Sequence, residues 1–98
     1  MPVAQVSDAT EESLAIVLRP KGECWVSLTI DGDRVFARVM RGGERASYEA
    51  NEEIILNIGD AGAFGFSLNE RDGRTLGDSG EVVTATITPE NYRSFIAP

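Results

Sequence analysis

The stretch Ile54-Ile55-Leu56-Asn57-Ile58-Gly59-Asp60-Ala61-Gly62-Ala63-Phe64-Gly65-Phe66-Ser67-Leu68 decides the fold. Apolar side chains alternate with other residues on both sides of Gly59–Gly62, and a period of two predicts short β-strands. The residues of Gly59–Gly62 are small or turn-forming, which favours a tight connection. We therefore expect two strands that meet at a corner where glycine is required.

The same alternation recurs along the rest of the chain and predicts five further strands. Their apolar rows begin at Leu14, Cys24, Val35, Ala46 and Val83. Turn signals recur about every 8–12 residues, a spacing typical of sandwiches and small barrels. The links are too short for parallel crossovers, so the strands should pair antiparallel. The prediction is an all-β fold: a seven-stranded antiparallel β-sandwich, immunoglobulin-like or small barrel-like.

The two ends of the chain are predicted to differ. Residues 1–12 are polar and are expected to form a flexible tail or the end of a linker, whereas residues 13–98 form a single β-sandwich domain. Near the C-terminus, Thr88 suits a helix cap and Pro89 suits a first helical position. A short helical turn is therefore expected within Pro89–Phe95.

Parity along the strands also predicts a core. The side chains expected to be buried are Val26, Leu28, Leu56, Ile58, Phe66, Val83 and Ile87.

The hairpin around Asp31-Gly32-Asp33 predicts a second, mixed face. Glycine tolerates the positive φ of a tight turn, and either two-residue turn pairs even-numbered with odd-numbered residues. This register assigns Val35, Ala37 and Val39 to the core, with Cys24, Val26 and Leu28. The opposite face then contains the candidate partner-binding residues, which are Trp25, Arg34, Phe36, Arg38 and Met40.

Two interpretations of this face remain open. It is structural if Tyr92 and Phe95 of the C-terminal segment cover it. It is a recognition surface if Trp25 is exposed, because Trp, Phe, Met and Arg are enriched in protein contacts. An exposed Trp ring on a sandwich could also stack on a sugar, although Arg34 and Arg38 in an acidic chain favour an acidic protein partner.

Composition excludes several classes of function. The 98 residues include 9 basic and 16 acidic side chains, a net charge of -7, and the basic residues form no run of three. Phosphate backbones and anionic lipids require basic contacts, so we expect no nucleic-acid partner. No apolar stretch approaches the roughly 20 residues that span a bilayer.

The residues also argue against catalysis and against a metal or cofactor site. The chain has no His and one Cys, so imidazole-dependent triads and Cys-pair metal sites are excluded. Asp31-Gly32-Asp33 lacks the further ligands of a calcium loop and is better explained as a hairpin turn. Cys24 is expected to be a small buried side chain. We expect a non-enzymatic protein without a cofactor.

The order of these segments resembles the C-terminal domain of RodZ-like bacterial cell-shape proteins, over roughly residues 13–95. The matching features are Cys24-Trp25-Val26, Asp31-Gly32, Gly42-Gly43-Glu44, Ala50–Gly62, Leu76-Gly77, Gly80 and Ile87–Tyr92. The chain departs from the family at Asp60, where Asn is usual, and at Asn69–Gly73, where the family has a compact Asn-Gly turn.

The resemblance implies a parent protein with a cytoplasmic helix-turn-helix domain, one membrane-spanning helix and this domain on the periplasmic side of the inner membrane. Such proteins link the actin-like cytoskeleton to cell-wall synthesis. The domain would then be a non-catalytic binding or scaffolding module, attached to the membrane only through an upstream anchor. Its partner would be an envelope protein of the elongation or division machinery. A glycan-binding or wall-binding module and a purely structural spacer are the alternatives.

Overall fold

The computed structural model describes residues 13–97. Within them the chain forms β1 (Leu14–Leu18), β2 (Cys24–Ile30), β3 (Asp33–Met40), β4 (Ala46–Ala50), β5 (Ile54–Ile58), β6 (Phe66–Leu68), β7 (Arg71–Asp72) and β8 (Val83–Ile87). Two short 3₁₀ turns, Ala61–Ala63 and Tyr92–Phe95, complete the fold. The predicted tail, residues 1–12, lies outside the described residues.

The strands form two four-stranded antiparallel sheets. The first sheet has the order β4-β1-β6-β7 and the second has the order β3-β2-β5-β8. The predicted all-β sandwich is confirmed, with eight strands instead of seven. The additional strand, β7, forms because Asn69 and Glu70 adopt positive φ angles of 50° and 70°, so the chain turns there and Leu68 pairs with Arg71.

The core lies between the two sheets, where both present their apolar sides. Alternating burial along β1 and β5 gives the predicted period of two. The buried apolar side chains are Leu14, Ile16, Leu18, Cys24, Val26, Leu28, Met40, Ala50, Ile54, Leu56, Ile58, Ala61, Phe64, Phe66, Leu68, Ala85 and Ile87. Of the seven side chains predicted from strand parity, six are confirmed as buried, and Val83 is only half-buried because it begins the edge strand β8. Val35, Ala37 and Val39, assigned to the core by the predicted hairpin register, are exposed.

The predicted register of the β2–β3 hairpin is wrong beyond its first pairs. The turn is Asp31-Gly32 as expected, and Thr29 pairs with Arg34. A β-bulge then shifts the register, so that Leu28 pairs with Phe36. One extra residue in β3 exchanges the two faces of everything that follows it.

The corner at Gly59–Gly62 carries the chain from β5 in the second sheet to β6 in the first. Neither glycine is among the residues with positive φ. The requirement is close approach, since a Cβ added at Gly62 would lie 2.6 Å from the Cα of Ser79. Glycine is therefore needed at this corner because another backbone passes beside it.

The C-terminal segment closes the β7 side of the first sheet. Thr88 and Asn91 exchange hydrogen bonds, the Thr88 N–H donating to Asn91 Oδ1 at 2.8 Å and the Asn91 N–H donating to Thr88 Oγ1 at 3.3 Å. The expected short helical turn is present as the 3₁₀ turn that follows. Gly73 then bridges Ile96, so the segment lies along β7.

Candidate partner-binding surface

The bulge separates the five residues that were predicted to share a face. Met40 is fully buried in the core. Phe36 and Arg38 point to the same side of the second sheet as Met40, at the edge strand β3. Trp25 and Arg34 lie on the outer side, near opposite ends of the hairpin. Val35 and Val39, predicted to be core, are exposed, as is Ala37.

Phe36 and Arg38 belong to a cluster that spans β3 and β4, the edge strands of the two sheets. The Phe36 ring lies 5.9 Å from the Tyr48 ring, and the Arg38 guanidinium lies 5.4 Å from the Phe36 centroid. Arg38 Nη2 also pairs with Glu44 Oε1 at 2.9 Å. That hydrogen bond lowers the pKa of Glu44 and raises the pKa of Arg38. The side chains of Phe36 and Arg38 therefore already contact other residues of the domain.

The outer side of the second sheet carries a different apolar group, with residues from β2 and β3 and from the chain next to the ends of β5 and β8. Trp25 pairs with Val39, and its carbonyl accepts the Gly59 N–H at 2.8 Å. Ile58 pairs with Val83 in the last pair of β5 and β8, and Val82 is the residue that precedes β8, next to this pair. We call Val39, Trp25, Gly59 and Val82 the Trp25 row. Its three large side chains are 49%, 44% and 75% exposed for Val39, Trp25 and Val82.

The glycine gives the Trp25 row its shape. A Cβ added at Gly59 would lie 3.3 Å from the Trp25 Cβ, so the space beside the indole is open only because that position has no side chain. Gly59 therefore adds no side chain to the outer face next to Trp25. The row is therefore a shallow apolar platform with a depression at its centre.

A polar row lies next to the Trp25 row on the same outer face. Asn57 pairs with both Ser27 and Thr84. Thr84 Oγ1 donates to Asn57 Oδ1 at 2.7 Å, and within residues 13–97 the Asn57 amide N–H₂, a donor group, makes no hydrogen bond. The apolar Trp25 row and the amide donor of Asn57 are therefore adjacent on the outer face of the second sheet.

The sequence analysis placed Trp25 on the outer face, but it assigned Val39 to the core and did not include Val82 among the candidate residues. Val82 follows Gly80 and Glu81, and the alternation that starts at Val83 puts Val82 on the outer side with Thr84. That signal was available in the sequence. Val39 could not be placed without the bulge. The C-terminal segment was the proposed cover for Trp25, yet it lies along β7 instead.

The described residues offer little for covalent or metal chemistry. Cys24 is buried, and burial raises the pKa of its thiol. Residues 13–97 contain no group of three or more His, Cys, Asp or Glu side chains arranged to hold a metal ion. Nor does this part of the chain contain a helix long and apolar enough to cross a membrane.

A family model described as the RodZ C-terminal domain matches residues 17–88. The chain belongs to this family. The match covers β2 to β8 and the last two residues of β1, so the RodZ C-terminal domain includes strands of both sheets of the sandwich. No curated protein and no solved structure matches the chain closely enough to count as similar.

Proposed function

We propose that this RodZ C-terminal domain is a non-catalytic binding and scaffolding module on the extracytoplasmic side of the bacterial inner membrane. It would serve a protein that links the cytoskeleton to cell-wall synthesis and cell shape, and it would contact an envelope protein of the elongation or division machinery. Membership of the family supports the general role. The observation that supports binding is the Trp25 row.

The Trp25 row is suited to protein contact by its composition and position. Soluble domains usually expose large apolar residues singly, whereas aligned apolar residues mark contact surfaces. Three of the four exposed large hydrophobic residues among residues 13–97 lie in this row, and the fourth is Val35. An exposed Trp beside a depression provides the kind of aromatic anchor that dominates interface energies.

The test uses the full parent protein in a rod-shaped cell. Trp25→Ser and Val82→Ser should each disturb cell width while the protein's abundance stays nearly unchanged and the 98-residue chain stays folded, with a fall of a few degrees in melting temperature for Trp25→Ser. Val35→Ser is the matched control, because Val35 is also an exposed valine but lies outside the row. Normal cell shape in both variants would exclude the Trp25 row as the partner-binding surface on which cell shape depends.

The proposed location has its own test. Val82→Cys introduces an exposed thiol, whereas the natural Cys24 is buried and should label slowly. A maleimide that cannot cross membranes should label the Val82→Cys parent protein in spheroplasts with an intact inner membrane. Labelling only after lysis would place the domain in the cytoplasm.

A glycan-binding role is the second candidate, and the neighbouring polar row favours it. Trp25 can stack on a sugar ring while the free Asn57 amide donates to a hydroxyl. Soluble peptidoglycan fragments should then change the emission of Trp25, the only Trp in the chain. Asn57→Ala should weaken that response, and an unchanged spectrum at millimolar fragment would exclude this role.

A further inference from the structure

We propose that the outer side of the first sheet carries a second binding site, a basic groove that accepts a carboxylate from an acidic segment of a partner protein. The groove has a volume of about 390 Å³ and lies between the end of β1 and the chain that follows β7. It is separate from the Trp25 row, which lies on the other sheet, and the proposal does not depend on that row.

The sheet register builds the groove from three side chains around one glycine. The Arg19 N–H donates to the Gly65 carbonyl at 2.7 Å, so these two residues are neighbours. Ser67 pairs with Asp72, and the same register places Arg74 opposite Gly65 on the other side. Arg19 and Arg74 therefore flank Gly65, which has no side chain. At a strand spacing of about 4.8 Å, the backbones of the two arginines are about 10 Å apart.

Lys21 adds a third positive charge to the same place. Its N–H donates to the Ala63 carbonyl at 2.7 Å, which continues the pairing of the two strands. Its Cε lies 3.6 Å from where a Cβ of Gly65 would be, so the stem of the side chain passes over the glycine. Among residues 13–97, the Lys21 ammonium forms no ion pair.

The charge of this groove is opposite to that of the chain as a whole. Lys21, Arg19 and Arg74 all line the groove, with Asp72 as the one acidic residue of the lining, although the chain has a net charge of -7. Such a concentration of one sign focuses the local field and attracts the opposite charge. The groove is thus the complement of an anionic group.

The molecule itself indicates which anion fits. Arg19 Nη2 already holds the Asp72 carboxylate at 2.9 Å, and Asp72 is largely exposed. Arg74 is anchored through its Nε to the Ser94 carbonyl at 2.8 Å and lies 5.5 Å from the Phe95 ring centroid. A partner carboxylate can take the place of Asp72 on Arg19. A multivalent phosphate would be repelled more strongly by Asp72 and by the negative chain.

The test is an NMR titration of the ¹⁵N-labelled 98-residue chain. The probe is an acetylated, amidated peptide with two glutamates, and the matched probe has glutamine in their place. The acidic peptide should shift the amide signals of Gly65 and Gly73, whereas the glutamine peptide should not. The absence of these shifts with the acidic peptide, or equal shifts with both peptides, would overturn the proposal.

Substitutions test whether each charged residue of the groove favours or opposes binding of the acidic peptide. Lys21→Gln should weaken binding about two- to fivefold, the range for one exposed charge pair. Asp72→Asn should strengthen binding, because it removes the competing carboxylate from Arg19. Arg34→Gln is the control, since Arg34 is exposed on the second sheet. Weaker binding by Asp72→Asn would contradict the proposed exchange.

Two further measurements separate this site from its alternatives. Inorganic phosphate is titrated in parallel, and phosphate that binds as tightly as the acidic peptide would overturn the assignment to a carboxylate. Trp25→Ser is titrated with the acidic peptide and should bind it normally. The proposal for the basic groove and the proposal for the Trp25 row are therefore tested independently.

Discussion

Gly59 lies next to Trp25, is hydrogen-bonded to it through the backbone, and has no side chain that would crowd it. The Gly59 N–H donates to the Trp25 carbonyl at 2.8 Å, and a Cβ at Gly59 would come within 3.3 Å of the Trp25 Cβ. The indole is half exposed although it belongs to a central strand of its sheet. Its accessibility leads to the first prediction.

Trp25 should emit at long wavelength and be quenched readily by acrylamide. Trp25→Ala should lower the free energy of unfolding by about 1 kcal/mol, because only part of its apolar area is removed from water. Leu56→Ala, at a fully buried position, should cost about 2–5 kcal/mol. Urea unfolding measures both variants. A blue-shifted, protected emission, or equal costs for the two variants, would show that Trp25 belongs to the core.

Gly62→Ala should destabilise the domain by about 1–3 kcal/mol, the usual cost of forcing atoms into a packed site. The added Cβ would lie 2.6 Å from the backbone of Ser79, which has no flexible end to move aside. Gly22→Ala is the control, since its Cβ would meet Ala63 at an ordinary 3.7 Å. Thermal unfolding should therefore separate the two variants, and equal melting temperatures would argue against the packing at this corner.

Asp31 should make the stability of the domain depend on pH in the acid range. Its carboxylate accepts the N–H groups of Asn51, Glu52 and Glu53 at 2.7–3.0 Å, and these bonds lower its pKa below the ordinary 3.8. A lowered pKa contributes stability above 3.8 that is lost as the pH falls through that value towards the pKa of the folded state.

Asp31→Asn keeps a residue that tolerates positive φ but removes the charge. It should lower the melting temperature at neutral pH and make the decline below pH 3.8 shallower. Asp33→Asn is the control, because within residues 13–97 the Asp33 side chain makes no hydrogen bond. If Asp31→Asn followed the natural chain at every pH, the three hydrogen bonds would have no energetic role.

Leu56→Asp should prevent folding, since Leu56 is fully buried between the sheets and an unpaired charge there has no partner. Total stabilities of about 5–15 kcal/mol leave no margin for such a change. Thr86→Asp places the same charge on the exposed side of β8 and should fold. Circular dichroism and one-dimensional NMR distinguish the two, and a folded Leu56→Asp would contradict the strand parity.

Strand periodicity and turn chemistry determined most of the fold in advance, whereas the bulge could not be predicted. Along β3, Val35, Ala37 and Val39 are apolar at odd positions, while Phe36 and Met40 are apolar at even positions. Both parities therefore offer an apolar face. Only packing against the other sheet decides between them, and it buries Met40.

The β6–β7 hairpin shows a second limit of local signals. Asp72-Gly73 is the stronger turn sequence, yet the chain turns at Asn69-Glu70. Gly73 is used for packing instead, because a Cβ there would lie 2.3 Å from the Phe66 ring. The basic groove depends on this register, so its three cations could not be brought together from the sequence.

The position of β1 also constrains how the domain acquires its structure. Among the strands of residues 13–97, β1 is synthesised first, but its two partners are β4 and β6, far along the chain. The second sheet is complete only when β8 joins β5. Contacts between distant segments slow folding, because long loops must close before any pairing is gained. During synthesis, the chain must therefore emerge from the ribosome as far as β6 before both partners of β1 are available, and until then the apolar side of β1 has no sheet to cover it.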